Sequence, residues 1–282
     1  MNFTQKSVYH PDNTASFLEA VRLEPGPDGR LQVVAVQEHL HRMCDSLAAA
    51  GMQSPDQFAQ EILRRALQMV PAAGSALSTD IPAPEPTSDS TSAPVSAPTV
   101  SPTSAPVSAQ TASPTSVPTS AGRIFKLRFE YDRSGLTSAQ AIPYQPRRIT
   151  RLAIRPLPQD VPLHQLYPLK YRSRSLLDAA GSGLQATEGV VLRYNTWITD
   201  AGHASLAFRQ GNTWFTPDTP LLPGTTRTRL LREGKLSARR ITTTCLQQFS
   251  EVCIFNAMLA FGEQRLPISA LYYDDDWSYQ DD

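Results

Sequence analysis

Apolar residues recur along this chain with two different periods, and each change of period marks an element. Ser16-Phe17-Leu18-Glu19-Ala20-Val21-Arg22-Leu23 reads as a strand. Pro25-Gly26-Pro27-Asp28-Gly29 is a hairpin-type turn, and Leu31 to Val36 reads as a second strand. The period then lengthens. Leu40, Met43, Leu47 and Ala50 share one face of a helix expected from Glu38 to Ala50, which Gly51 is suited to end. Ser54 as cap and Pro55 in the first position open another helix, with Phe58, Ile62, Leu63, Ala66, Leu67 and Val70 as its stripe. After a long interruption, alternation returns in Phe125 to Tyr131, and strands follow near Ala139 to Tyr144 and Ile149 to Ile154. A helix is expected over Ser175 to Ala180. Two hairpins come next: Gly189 to Tyr194 with Trp197 to Asp200 around Asn195-Thr196, and Ser205 to Phe208 with Asn212 to Thr216 around Gln210-Gly211. Thr226 to Leu231 and Thr243 to Phe249 read as helices, and Val252 to Asn256 as the last strand, followed by Ile268 to Leu271. The pattern is that of an α/β chain of the α+β type.

Composition changes this picture in one place. From about Pro71 to Ser120, Pro, Ser, Thr and Ala dominate, and the stretch from Thr91 to Pro102 recurs from Thr103 to Pro114 with Gln110 and Ala112 replacing Pro98 and Val100. A third, truncated copy begins at Thr115. A solenoid repeat needs an apolar face to stack on its neighbour, and this unit has none, so a disordered insert is expected. The chain then divides into residues 1–72 and 122–160 as the two parts of an N-terminal α/β domain, 73–121 as the insert, 161–271 as a C-terminal domain and 272–282 as an exposed acidic tail. Lys and Arg number 26, as do Asp and Glu, so no electrostatic footprint for nucleic acid or an anionic membrane is present. Cys44, Cys245 and Cys253 have no metal-type spacing and are expected to be reduced thiols. Asp274-Asp275-Asp276 is not expected to hold a metal, because consecutive side chains diverge. No run reaches transmembrane length, and a soluble cytoplasmic protein is the expectation.

Candidate chemistry concentrates in Leu221-Leu222-Pro223-Gly224-Thr225-Thr226-Arg227. Gly224 stands where a loop turns into a helix, and the N–H groups of Thr225 and Thr226 open that helix without intrahelical partners. Such a start attracts phosphate through free donors and the positive end of the helix dipole. Three further segments are distinctive: His39-Leu40-His41-Arg42-Met43-Cys44-Asp45-Ser46, Leu169-Lys170-Tyr171, and Ile198-Thr199-Asp200 running on to Ser205-Leu206-Ala207-Phe208.

In that order, these four segments resemble the signatures of the class IV aminotransferase family, the fold-type IV pyridoxal phosphate enzymes, which include branched-chain and D-amino acid aminotransferases and aminodeoxychorismate lyase. The resemblance spans the chain outside the repeat and the termini. It implies a two-domain fold with the repeat inserted in the first domain, pyridoxal 5'-phosphate as cofactor, a small amino compound as substrate and a homodimer. It further implies Lys170 as the catalytic amine that holds the cofactor, Asp200 against the pyridine nitrogen and Arg42, Gly224, Thr225 and Thr226 around the phosphate. An N–H from Asn256-Ala257 would join the phosphate site, and Arg174 would face the ring hydroxyl or a substrate carboxylate. Asp200 replaces the family's more usual glutamate and Ser205 its asparagine. Transaminases of the family carry a tyrosine five residues after the lysine. Here Ser175 occupies that position and Arg174 the fourth, the arrangement of the lyase. The resemblance therefore points first to an aminodeoxychorismate lyase that eliminates pyruvate to leave 4-aminobenzoate for folate synthesis. Amino-group transfer from branched-chain or D-amino acids is the alternative, and a non-catalytic binding module the third reading.

Because the repeat has no apolar face to lose, replacing Ser75 to Ser120 by a short flexible linker should leave the thermal midpoint and cofactor uptake unchanged. Insoluble protein from that deletion would show that the segment is part of the folded core.

Overall fold

The computed structural model describes residues 15–28, 30–70 and 124–279, so the repeat lies outside the described residues. Strand β1 (Phe17–Pro25) pairs with β2 (Leu31–Val33) across the expected turn and with β3 (Phe125–Asp132) on its other side. β4 (Gly135–Pro143) completes the order β2-β1-β3-β4. Helices α1 (Val36–Ala49) and α2 (Pro55–Gln68) pack with this sheet through Leu40, Met43 and Leu47 and through Ile62, Leu63 and Ala66, all at most 1% exposed. Gly51 ends α1 with φ +85°, while Gly51 and Met52 donate to the carbonyls of Ala48 and Leu47. Pro55 opens α2 as expected, but the Ser54 side chain makes no capping bond.

The second half holds two sheets. One has the order β13-β5-β6-β7, from β5 (Arg151–Pro156), β6 (Glu188–Tyr194), β7 (Trp197–Ala201) and β13 (Leu271–Tyr273). The other has the order β10-β9-β8-β11-β12, from β8 (Ser205–Gln210), β9 (Thr213–Pro217), β10 (Ser237–Arg239), β11 (Glu251–Phe255) and β12 (Gln264–Pro267). Both expected hairpins are present, turning at Asn195 with φ +52° and at Gly211 with φ +59°. Helix α3 (Leu163–Leu166), helix α4 (Ser175–Gly181) and helix α5 (Thr225–Arg232) lie in the connections.

Three expectations from the linear pattern are corrected. β5 falls on the other side of the domain division at residue 160, because it pairs in parallel with β6 and β13 in the second half. Thr243–Gln248 and Ile268–Ala270 are 3₁₀ turns, since their apolar residues follow no sustained helical or strand period. The acidic tail is exposed only in part over its described residues 272–279, where Asp275 and Asp276 are exposed and Asp274 is not. β13 runs beside β5, and Asp274 is drawn in by Arg155, whose side chain is 5% exposed. Arg155 Nε donates to Asp274 Oδ2 at 2.8 Å, its Nη1 donates to the carbonyls of Ala180 and Ser182 at the end of α4, and its guanidinium lies over the Trp277 ring. One buried cation thus ties the C-terminal segment to α4. Asp274 is thereby committed to an ion pair.

Asp274→Ala should cost on the order of 2 kcal/mol in denaturant unfolding, because it strands a buried guanidinium. Asp275→Ala and Asp276→Ala, at exposed positions, should stay within about 0.5 kcal/mol of the parent.

Candidate active site

The candidate cleft is assembled from elements distant in sequence, and the strand that organises it is β1. Phe17, Val21 and Leu23 point into the core, each fully buried, and the same alternation carries Glu19 inwards to 0% exposure. α1 meets it with a row of polar residues at helical spacing, His39, Arg42 and Ser46, beside the apolar row of Leu40, Met43 and Leu47. Arg42 donates to Glu19 through Nε at 2.8 Å and Nη2 at 2.6 Å, and His39 Nδ1 lies 2.9 Å from the same carboxylate. The Lys170 segment is stitched to the start of β1. Leu18 N–H donates to the Lys170 carbonyl and Arg172 N–H to the Ser16 carbonyl, both at 2.9 Å.

From there a cleft opens, and the residues singled out from the sequence line it together: Arg42, Lys170, Arg174, Asp200, Gly224, Thr225, Thr226, Asn256 and Ala257. Asp200, at the end of β7, is 6% exposed, and its Oδ2 accepts the N–H groups of Leu221 at 2.6 Å and Leu222 at 3.0 Å. Those two residues lead into α5, so Asp200 and the helix start are built as one unit. The first intrahelical bond of α5 runs from Thr228 N–H to the Gly224 carbonyl at 2.9 Å, leaving the preceding N–H groups without helix partners. Thr225 Oγ1 is buried with no partner in the protein. Unsatisfied donors and an unpaired hydroxyl at a helix start fit a phosphate, which would accept from both.

Gly224 also meets a neighbour that the sequence did not disclose. Its φ of −68° is open to any residue, but a Cβ there would come within 2.6 Å of Ser205 Oγ. The serine that departs from the family pattern thus stands opposite Gly224, and a side chain there would make its hydroxyl turn away. Asn256 also differs from expectation. Its N–H already donates to the Leu259 carbonyl at 3.0 Å, so it is not a phosphate donor, and its Oδ1 instead shapes the turn by accepting from Met258 and Leu259. Ala257 remains in the cleft wall as the backbone candidate. Arg227, from the same motif, turns back to Thr216 Oγ1 and the Pro217 carbonyl. Tyr167 and His203 line the cleft without having been singled out, and Glu19 stands behind it. The one available signal for Glu19 was a charged residue in the buried phase of an alternating strand.

Electrostatics poise two of the ionisable groups that face the cleft, Lys170 and Asp200. Burial, followed by the Arg42 guanidinium, pushes the Lys170 ammonium down to about 7, against a smaller opposing pull from Glu19. Burial lifts Asp200 to about 7, opposed by the N–H bonds from Leu222 and Leu221. A neutral amine is therefore abundant at neutral pH, and a carboxyl group stands ready to ionise against a cation. Beside them, Arg174 Nη2 bonds to the Gly202 carbonyl at 3.3 Å and touches His203 Nδ1, while its Nε is buried without a partner.

Comparison with known proteins gives this arrangement a context. A model of the class IV amino-transferases matches residues 16–262. An uncharacterized protein of Haemophilus influenzae is 37% identical over 136 residues, 48% of this chain and 69% of the relative. Among solved structures, a candidate 4-amino-4-deoxychorismate lyase from Haemophilus somnus matches with TM-score 0.57 at 21% identity, covering 88% of this chain and 98% of its own. A candidate amino-acid aminotransferase from Mesorhizobium loti matches with TM-score 0.61 at 19% identity over 91% and 99%. The PLP-bound form of a hypothetical aminotransferase from Mycobacterium tuberculosis matches with TM-score 0.57 at 15% identity over 94% and 86%. At these identities the three structures establish the shared fold.

Asp200 supplies a test of the poised electrostatics. Its folded pKa is raised above the unfolded value of 3.8, so its ionisation penalises the folded state increasingly from about pH 4 to about pH 7 and by a constant amount above. Asp200→Asn should therefore stabilise the cofactor-free protein by on the order of 1–3 kcal/mol at pH 8, with the gain vanishing near pH 4. Denaturant unfolding across that range measures it, and a pH-independent difference would contradict the assignment.

Proposed function

The chain belongs to the class IV aminotransferase family, whose enzymes depend on pyridoxal 5'-phosphate, and we propose that within it this protein is a lyase of the 4-amino-4-deoxychorismate type. The observation that carries this reading is the position of Arg174. It lines the cleft with Lys170, four residues later in the chain, whereas Ser175, where the family's transaminases place a tyrosine, is exposed and lies outside the cleft. The hydroxyl of Tyr167, which does reach the cleft wall, donates to the Tyr171 carbonyl at 3.0 Å.

The geometry supports the following division of labour. Arg42, Thr225, Thr226 and the open N–H groups of α5 would hold the cofactor phosphate, Lys170 its aldehyde carbon and Asp200 its ring nitrogen. When bound, pyridoxal phosphate supplies an electron sink for the substrate's amino-bearing carbon. Lys170 Nζ, once free of the cofactor, would accept a proton from that carbon and return one to the departing enolpyruvate. Asp200, once a cation lies against it, stays ionised and keeps the ring nitrogen protonated. The substrate would be an amino compound bearing carboxylates. The cleft adjoins a larger hollow through Gly202, His203, Ala204 and Asn256, and Lys126 lines that hollow. Among the described residues no ion pair joins Lys126 or Arg174 to a carboxylate, which leaves two cations to receive anionic groups. We place the enzyme in the cytoplasm as a homodimer, the arrangement of its family.

Purified protein given 4-amino-4-deoxychorismate should release pyruvate and 4-aminobenzoate in equal amounts, and Lys170→Ala should abolish both. Amino transfer from branched-chain or D-amino acids to 2-oxo acids without pyruvate release would replace this reading with the aminotransferase.

A further inference from the structure

Glu19 belongs to none of the motifs that carry the cofactor reading, yet two of them converge on it. Its side chain is closed to solvent, and it grips Arg42 with both oxygens, through Nε at 2.8 Å and Nη2 at 2.6 Å. Two parallel bonds between a carboxylate and a guanidinium fix the plane of the fork, which a single bond would leave free to swing. Among the described residues the other terminal nitrogen of Arg42 makes no hydrogen bond, and Arg42 lines the cleft. His39 steadies the carboxylate from the other side at 2.9 Å. Burial holds His39 below its ordinary pKa, so it is neutral, donates from Nδ1 and leaves Nε2 without a partner. The network carries one negative and one positive charge. The second convergence runs through the backbone, where the residue before Glu19 donates to the Lys170 carbonyl.

We infer that Glu19 is a positioning residue for the cofactor phosphate, holding Arg42 as a preset fork and, through β1, fixing the distance between that fork and Lys170. The inference rests on the cofactor placement proposed above and adds a residue to it. A buried ion pair that merely joined β1 to α1 would have no reason to favour a phosphorylated ligand over the same ligand without phosphate. A positioning role demands that preference.

The test uses the full chain freed of cofactor and titrated separately with pyridoxal 5'-phosphate and with pyridoxal, followed by absorbance. Glu19→Gln keeps the shape but presents an amide nitrogen to Arg42. It should weaken pyridoxal phosphate by about tenfold or more while pyridoxal changes by less than about twofold. Equal weakening of both ligands, or an unchanged preference for the phosphorylated one, would overturn the role. Should Glu19→Gln fail to fold, Glu19→Asp, which withdraws the carboxylate by one methylene, must show the same selective loss, and full preference in that variant would overturn the role equally. A parent protein that takes up neither aldehyde would overturn the cofactor placement itself. That outcome differs from a parent that discriminates and a variant that still does.

Discussion

Glu19 and Arg42 meet 2.6 Å apart with almost no access to water, and most of the site follows from how that pair is accommodated. Two buried charges survive only when geometry and further hydrogen bonds offset their desolvation, and removing one partner of such a pair typically costs about 3–5 kcal/mol. Here the offset comes from a bidentate fork and from His39. The arrangement demands that β1 bring a carboxylate inwards where its neighbours are apolar, and that α1 turn a polar row rather than its apolar row towards it. Burial by itself would raise the Glu19 carboxyl, but the Arg42 guanidinium and the His39 hydrogen bond together outweigh it and hold the group well below the usual carboxylate range, so the pair stays charged across the working range of pH.

A fixed cation beneath the cleft has consequences for what lies above it. Lys170 sits near Arg42, with Arg174 and Lys126 adding to the same field, and its ammonium is the group that gives way. Asp200 is displaced in the opposite direction, chiefly because it is buried. A base near 7 and an acid near 7 thus face one cleft for different physical reasons, one from burial with a cation beside it and the other from burial with backbone donors that only partly compensate. Binding a dianionic phosphate at Arg42 and a cationic ring at Asp200 would relax both, which is why the empty and filled sites should differ in their titration more than in their shape.

The remaining architecture serves to hold distant segments in register. Arg155 clasps the C-terminal segment to the end of α4, the helix that begins immediately after Arg174. Asp200 clasps the loop before α5 through two N–H bonds, and Ser205 fills the space that Gly224 leaves open. Each is a contact between residues far apart in the chain or on different elements.

The sequence by itself determined the elements and the chemistry they carry. Alternation in β3, the stripes of α1 and α2, and the turns at Asn195 and Gly211 are local consequences of side-chain period and backbone preference, so they were legible without the fold. The residues that line the cleft were picked out by the resemblance of four segments in order, since a lysine, an aspartate or a glycine before a helix is commonplace by itself. What only the tertiary structure decided was partnership. Nothing local says that Glu19 would close on Arg42, that Asp274 would leave solvent for Arg155, or that Ser205 would stand opposite Gly224. These are encounters between segments up to 119 residues apart, and their energies depend on how much water is excluded when they meet. Burial is a property of the assembled chain, and it is burial that moves Lys170 and Asp200 to about 7.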